Sequence, residues 1–236
     1  MTKAPRIVRR TELYFPSSAG EIIYVHPAVE GNYQVTGAQI LDSRLVVPTG
    51  DLTAPLVHAA YCSDAKDEPE FANVRDITQK RWLWVFNTNL WTPQGVFVRP
   101  DRQAQGGNRP YDIKALEQKL NGVKENNGVQ VSDDGIVRFA VRGSYALGEM
   151  RAKDLAQDGF MIASYGVEGA KLLAEAASTR DNNPITYGID ITENQNPEQR
   201  VSALDEFDSR LHFSGGFGGD DDGYAFGVSA PSAQKI

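Results

Sequence analysis

The segment at residues 160–191 constrains the fold most, because two apolar runs flank a stretch of helical composition. The first run is residues 160–165, and after Gly166 the residues 167–178 favour a helix. A polar break separates that stretch from the second run, residues 185–191. This order is typical of a βαβ crossover, which buries two parallel strands beneath a helix. The sequence therefore predicts an α+β fold, with a mixed sheet and a βαβ unit near residues 160–191.

The composition permits a sizeable core and gives no indication of a membrane or disulfide protein. The chain has 236 residues, of which 41% are hydrophobic and 23% charged, as in ordinary globular proteins. Its apolar runs fall well short of the roughly 20 residues that span a bilayer. The basic residues 1–10 precede no apolar segment typical of a secretory signal. Cys62 has no second cysteine to pair with. We therefore expect a soluble, cytoplasmic protein.

The first part of the chain, residues 1–105, is predicted to be rich in β-strands. Short apolar runs such as 21–26 and 40–41 end at proline or turn-forming residues, as strands do. The run at 81–86 is apolar on both faces at strand periodicity, which predicts a central strand. Residues 52–62 are the exception and are predicted to be helical, with a proline early enough to be tolerated.

The second part, residues 106–236, has an α/β-like pattern. Asp112 precedes an apolar stripe and is predicted to cap a helix. Asn196, followed by proline, predicts another helix start. An Asp-Gly turn within residues 129–141 predicts one hairpin, and residues 207–213 predict a second. No long linker separates the two parts, so we expect them to share one core.

The turn at residues 164–169 is the first candidate binding site. In a βαβ unit it would lie at the carboxyl end of a parallel strand and at a helix N-terminus, where N–H groups and the helix dipole suit an anion. Ser164, Gly166 and Gly169 would line the site, and Asp190 would be the nearest carboxylate. The three-glycine dinucleotide fingerprint and the phosphate-loop lysine are absent, so a tight structural turn is the competing interpretation.

His58 and Cys62 are the second candidate, because residues four apart on the predicted helix share one face. An imidazole and a thiolate so placed could act as base and nucleophile, or as two metal ligands. The alternative is that both are ordinary residues of a half-buried helix. No motif implies a cofactor, and the sequence assigns no catalytic residue.

Asp220, Asp221 and Asp222 are the third candidate. Carboxylates around a glycine turn suit Ca²⁺ or Mg²⁺, but the spacing of a calcium loop is absent. The alternative is a solvated loop tip that discourages pairing between sheet edges.

Trp82 and Trp84 are the fourth candidate. With Arg81 and Arg99 nearby, they could form a stacking platform for single-stranded nucleic acid. The alternative is that the tryptophans belong to the core, since the opposite face of their strand is also apolar.

Charge is unevenly distributed along the chain. Eight cations outnumber three anions over residues 80–124, whereas nine anions outnumber two cations over residues 190–222. The two regions could meet on neighbouring molecules, or the basic one could bind an anion or an acidic partner. The overall charge of −7 disfavours nucleic acid as a partner without excluding it, and no membrane partner is expected.

The sequence predicts a soluble intracellular binding or assembly protein with no recognisable catalytic motif, acting with a protein partner or as a homo-oligomer. Two alternatives stay open. One is a small hydrolase or nucleotide-handling enzyme that uses the turn at 164–169. The other is a protein that binds single-stranded nucleic acid through Trp82 and Trp84.

Overall fold

A computed structural model describes residues 11–17, 20–108 and 111–229 of the chain. Within these residues, eleven strands form one mixed sheet, which together with the helices confirms the predicted α+β class. In chain order the strands are β1 (Thr11–Ser17), β2 (Gly20–Gly31), β3 (Leu83–Thr92), β4 (Gly95–Pro100), β5 (Val129–Val131), β6 (Arg138–Val141), β7 (Gly148–Glu149), β8 (Ile185–Tyr187), β9 (Glu198–Phe207), β10 (Arg210–Phe217) and β11 (Gly223–Ser229).

Six α-helices accompany the sheet in the described part of the chain. Two have the aspartate caps that stabilise helix N-termini. The Asp112 side chain accepts the backbone N–H of Ala115 at 3.2 Å, as predicted, and Asp158 accepts that of Met161 at 3.0 Å. The helices are α1 (Tyr33–Asp42), α2 (Gly50–Cys62), α3 (Pro69–Lys80), α4 (Ile113–Leu120), α5 (Ala152–Leu155) and α6 (Gly159–Ser178).

The main path of the sheet runs β1-β2-β11-β3-β9-β10-β8-β7, while β4 pairs with β3 and carries β6 and β5 beyond it. Strand β3 lies between β11 and β9 with all ten residues buried, so the predicted central strand is confirmed. Its alternating side chains serve two cores, because successive residues of a strand point to opposite faces. Trp84 and Phe86 enter one core, and Leu83 and Val85 enter the other.

The two faces of the sheet are covered unequally. On one face, Leu204, Leu211 and Phe213 belong to a large core with helices α2 and α6. On the other face, α1 contributes Tyr33 and Ile40 to a smaller core around Trp84 and Phe86. A third cluster joins α4 to β3 and β4. The large core draws residues from both predicted parts of the chain, and the division near residue 105 itself stays a prediction.

Two predicted hairpins are present. Strands β5 and β6 pair antiparallel, with Val129 opposite Ala140. Strands β9 and β10 pair antiparallel, with Phe207 opposite Arg210. Between them Asp208 and Ser209 both have φ of 52°, the left-handed backbone that a two-residue hairpin turn requires.

The predicted βαβ unit is wrong. Residues 159–178 form α6, and Gly166 interrupts it with φ 74° and ψ 166°. All of residues 160–165 are buried, so this half of the helix reads as a continuous apolar run. A run of that kind has no amphipathic period and cannot be distinguished from a buried strand by pattern alone. Only the second apolar run contains a strand, β8, which pairs parallel with β10 and antiparallel with β7.

The first part contains two helices that the sequence did not predict, α1 and α3, whereas the helix predicted at residues 52–62 is present as α2. The strand predicted at residues 40–41 is wrong. Residues 40–41 lie in α1, whose N-cap Asn32 accepts the N–H of Val35 at 2.9 Å. A β-branched apolar residue such as Ile40 favours a strand, but here it lies on α1 and packs in the core.

The helix predicted to start at Asn196 is also wrong, because the strand β9 begins at Glu198. This strand is buried between β3 and β10, and tertiary pairing overrides the local capping signal.

Candidate functional site

One end of the sheet keeps an uncovered face. Helix α1 packs against β2 and β11, and the core that it forms includes Val201 and Ala203 of β9 but not Phe207 at the far end of that strand. Along β9, β10 and β8 the inner residues are buried, and Asp205, Phe207, Arg210, His212 and Tyr187 alternate with them on the outer side. This alternation is the pattern of a sheet with one face in the core and one face in water.

A cleft of about 440 Å³ lies on this uncovered face. Phe207 stands beside it and is 71% exposed, and Tyr187, in its wall, is 45% exposed. We call this site, with Phe207 included, the aromatic cleft. Its lining residues are Tyr187, Gly188, Ile189, Asp205, His212, Ser214, Gly216 and Phe217.

Strand register brings the functional side chains together. His212 lies opposite Asp205 of β9 and opposite Ile185 of β8, and Ser214 lies opposite Tyr187. Residues opposite or diagonal to one another on a sheet face are near enough for side-chain contact. The three rings therefore follow each other across the strands. The His212 ring is 5.4 Å from that of Tyr187 and 6.4 Å from that of Phe207, measured between centroids.

The centre of the aromatic cleft is a histidine next to a carboxylate. His212 Nδ1 lies 3.1 Å from Asp205 Oδ1, and the two side chains are 11% and 28% exposed. His212 Nε2 is buried and has no hydrogen-bond partner among the described residues. A buried nitrogen without a partner is costly, which makes the imidazole a natural point for a polar ligand group.

Ser214 does not complete a nucleophilic triad with this pair. Its Oγ accepts the N–H of Gly216 at 3.2 Å, and no hydrogen bond joins it to His212 within residues 11–17, 20–108 and 111–229. The hydrogen bond that activates a serine is therefore not in place among the described residues.

The floor of the cleft packs directly on the core. A Cβ atom at Gly188 would overlap the Trp91 ring, so the backbone of Gly188 lies flat on that indole. Trp91 Nε1 donates to the carbonyl of Gly215 at 2.8 Å, which fixes the indole under the floor. Glycine is required where backbone and ring approach this closely.

The anion site predicted at residues 164–169 required a turn between a parallel strand and a helix, and the structure has no such turn there. Gly166 lies at the interruption of α6, and not after a parallel strand. A Cβ there would stand 2.7 Å from Asp51 Oδ1, so a carboxylate already occupies the space beside it. Arg138 binds this carboxylate with two hydrogen bonds of 3.0 and 2.7 Å. An anion would meet the negative charge of Asp51 first.

The other members of that site are dispersed. Ser164 is buried, and its carbonyl accepts Asn87 Nδ2 at 2.8 Å. Gly169 packs toward Ala54, and Asp190 pairs with Arg142. The enzyme alternative that used this turn therefore has no assembled site.

His58 and Cys62 lie on α2, as predicted, and the Glu175 carboxylate of α6 acts on both. His58 Nε2 is 2.8 Å from Glu175 Oε2 on α6. Burial, and then the Glu175 carboxylate, raise the pKa of the Cys62 thiol. A raised pKa reduces the thiolate fraction, which is the nucleophilic and metal-binding form.

The acidic loop does not form a metal site. Asp220, Asp221 and Asp222 are all exposed. Across the described stretches of the chain, no three His, Cys, Asp or Glu side chains are grouped so that they could hold a metal ion.

The structure places the two tryptophans of the predicted stacking platform in or against the core. Trp84 is fully buried, and Trp82 packs against Phe217 with ring centroids 5.1 Å apart. Arg81 is exposed, while Arg99 lies 4.5 Å over the ring of Tyr111. Trp84 therefore has no face on which a base could stack, and Trp82 is half-buried.

Sequence reasoning missed the aromatic cleft. The only available signal was the hairpin of residues 207–213, whose alternation places Phe207 and Asp205 on one side of a strand. Phe207 and Asp205 come near Tyr187 only because β8 pairs with β10. The sequence did not reveal this pairing, because the βαβ interpretation paired residues 185–191 with residues 160–165.

No described helix is long and apolar enough to cross a membrane. No protein-family model matches the chain, and no curated protein matches it. One solved structure is similar, from work on the accommodation of massive sequence variation in Nanoarchaeota by the C-type lectin fold. The identity is 12%, the TM-score is 0.47, and the similarity covers 86% of this chain and 97% of that one. A similarity this distant carries no inference about the ligand or activity of this chain.

Proposed function

We propose that this chain is a binding protein and that the aromatic cleft is its binding surface. The observation that carries the proposal is a pair of exposed rings, Phe207 at 71% and Tyr187 at 45%, on either side of His212 on the outer face of the sheet. Single exposed apolar residues are common on proteins. Here, however, two rings flank a histidine in a cleft of a volume suited to a ligand.

The chemistry of the side chains supports recognition. Aromatic residues are enriched at binding surfaces, because a rigid ring buries a large area at a small cost in conformational entropy. The floor built on Gly188 and Trp91 is already packed, so binding would require little rearrangement there.

The test is selection of peptides from a random library displayed on phage, with the immobilised wild-type protein as bait. Enriched peptides should bind the wild type at least about tenfold more tightly than a Tyr187→Ser, Phe207→Ser double variant, a difference of about 1.4 kcal/mol. Tyr14→Ser is the matched control, because Tyr14 is also exposed, at 55%, but lies on β1 at the far end of the sheet.

The control variant should bind selected peptides as the wild type does, and circular dichroism should show all three proteins folded. Selected peptides that bind the double variant as tightly as the wild type would refute the aromatic cleft as the binding surface. A selection that enriches nothing would also count against it.

The proposal retains two narrower predictions from the sequence, a cytoplasmic location and association with a second copy or a protein partner. The motivation for association is the opposite charge of residues 80–124 and 190–222. Sizing chromatography at low and high salt tests it, since exposed charges are screened as salt rises. A particle that becomes smaller at high salt supports charge-driven association, and a monomer under both conditions contradicts it.

A further inference from the structure

Resting on the proposed function, we propose that the aromatic cleft recognises an arginine side chain of a peptide partner, with the guanidinium stacked on Tyr187 and paired with Asp205. The basis is charge complementarity between this ligand and the uncovered face, together with an arrangement of the same groups that the chain already uses internally.

On the uncovered face, the Asp205 carboxylate has no lysine or arginine partner among the described residues. Arg210 pairs with Glu149 at 2.9 Å and lies 3.7 Å from Asp208. Asp205 has only the His212 imidazole beside it and meets no lysine or arginine within the described residues. Asp205 is 28% exposed, so a ligand can reach it.

The rings on either side of His212 favour the same ligand. The face of an aromatic ring is negative and attracts a cation within about 6 Å. A guanidinium is planar and weakly hydrated, so it stacks on a ring and pairs with a carboxylate at once, which a lysine ammonium does less well. A cleft of about 440 Å³ can hold such a head group with part of its aliphatic stem.

On the opposite face of β9, an arginine of this chain is already stacked on a tyrosine and paired with a carboxylate. There Arg180 lies 5.2 Å over the ring of Tyr61 and pairs with Glu206 at 3.0 Å. Glu206 and Asp205 are consecutive residues of one strand, so they point to opposite faces of the sheet. The inner face has a tyrosine, a carboxylate and an arginine in mutual contact, and on the outer face a tyrosine and a carboxylate lie on either side of His212.

The test is a ¹⁵N–¹H NMR titration of the full chain with the blocked peptide acetyl-Gly-Ser-Arg-Ser-Gly-amide at millimolar concentration. The matched probe replaces arginine by citrulline, which has nearly the same shape and no charge. The arginine peptide should shift the amides of Gly188, His212 and Gly216, and the citrulline peptide should bind about tenfold more weakly or not at all.

Two variants make the assignment specific. Asp205→Asn keeps the shape and removes the charge, and it should weaken arginine-peptide binding about tenfold. Tyr14→Ser should leave binding unchanged. The comparison of the two peptides on the wild type needs no variant, so the proposal stays testable if Asp205→Asn fails to fold.

The outcomes separate this inference from the proposed function. Equal shifts with the arginine and citrulline peptides would overturn arginine recognition and leave the cleft as a binding surface. Shifts of the same amides with protein concentration alone would identify a second copy as the occupant and overturn the peptide assignment. No shift at the cleft with either peptide would overturn arginine recognition, and the phage selection would then decide the proposed function independently.

Discussion

Replacing Tyr61 by phenylalanine should destabilise the protein through the loss of one charged hydrogen bond. Glu206 is a buried carboxylate that accepts three donors: Tyr61 OH at 2.6 Å, Gln79 Nε2 at 3.3 Å and Arg180 at 3.0 Å. Burial, and then this carboxylate, raise the pKa of Tyr61, so the phenol stays a donor. Phenylalanine keeps the ring beneath Arg180 and removes only the hydroxyl.

The size of the stability loss depends on the hydrogen bonds that Glu206 retains in the variant. Two of its donors remain in Tyr61→Phe. Thr78 Oγ1, which is 2.8 Å from the Tyr61 hydroxyl, loses that contact but keeps its own bond to the carbonyl of Arg75 at 2.8 Å. The expected loss is therefore that of one hydrogen bond to a charged group, about 1.5–3 kcal/mol. For a chain of this size, that corresponds to a melting temperature lower by roughly 3–12 °C.

Tyr24→Phe is the matched control. Tyr24 is equally buried, and its hydroxyl donates to a neutral acceptor, the carbonyl of Leu52. A neutral hydrogen bond contributes about 0.5–1.5 kcal/mol, so this variant should lose less. Urea unfolding followed by tryptophan fluorescence measures both, with equal slopes required for comparison. A Tyr61→Phe loss no greater than that of Tyr24→Phe would refute the charged acceptor as the source of stability.

Two further predictions concern titrating groups. Asp134 accepts hydrogen bonds from Lys119 at 2.6 Å, Ser132 at 2.6 Å and the Ile136 N–H at 3.0 Å, and these lower its pKa. The ionised carboxylate therefore stabilises the folded protein at pH values above the ordinary carboxyl pKa. This stabilisation is lost as the pH falls through the lowered pKa. Asp134→Asn should therefore melt below the wild type at pH 7, and the gap should narrow toward pH 2; a gap independent of pH would contradict this. Because the pKa of Cys62 is raised, iodoacetamide should alkylate it more slowly than glutathione at pH 8. Glu175→Gln should speed the reaction and the exposed-residue control Glu168→Gln should not, whereas a wild-type rate above that of glutathione would contradict the prediction.

The sequence was sufficient where a local pattern and the tertiary environment agree. The run at 81–86 predicted a central strand, and β3 has that position because both of its faces are apolar. Asp112 predicted a helix start through a capping interaction that involves only its own next residues. The hairpin β9–β10 was predicted for the same reason, since its turn and its strands are adjacent in the chain.

The sequence was insufficient where one pattern fits two environments. Residues 160–165 are apolar throughout, and burial on all sides gives that composition to a strand and to a helix alike. The partners of α6 decide between them, because α2 packs along it and Asp158 caps it. Residues 40–41 are a second instance, where packing on the sheet favours α1 over a strand.

The sequence by itself determined a mixed α and β protein with a Trp-rich central strand, because these follow from periodicity and local caps. Only the tertiary structure decided the aromatic cleft. Tyr187, Asp205 and His212 come from three strands, and β8, which follows α6 in the chain, pairs with β10 and not with its sequence neighbour β9. The side chains that meet there are set by strand register, and register depends on pairing between segments that no local pattern connects.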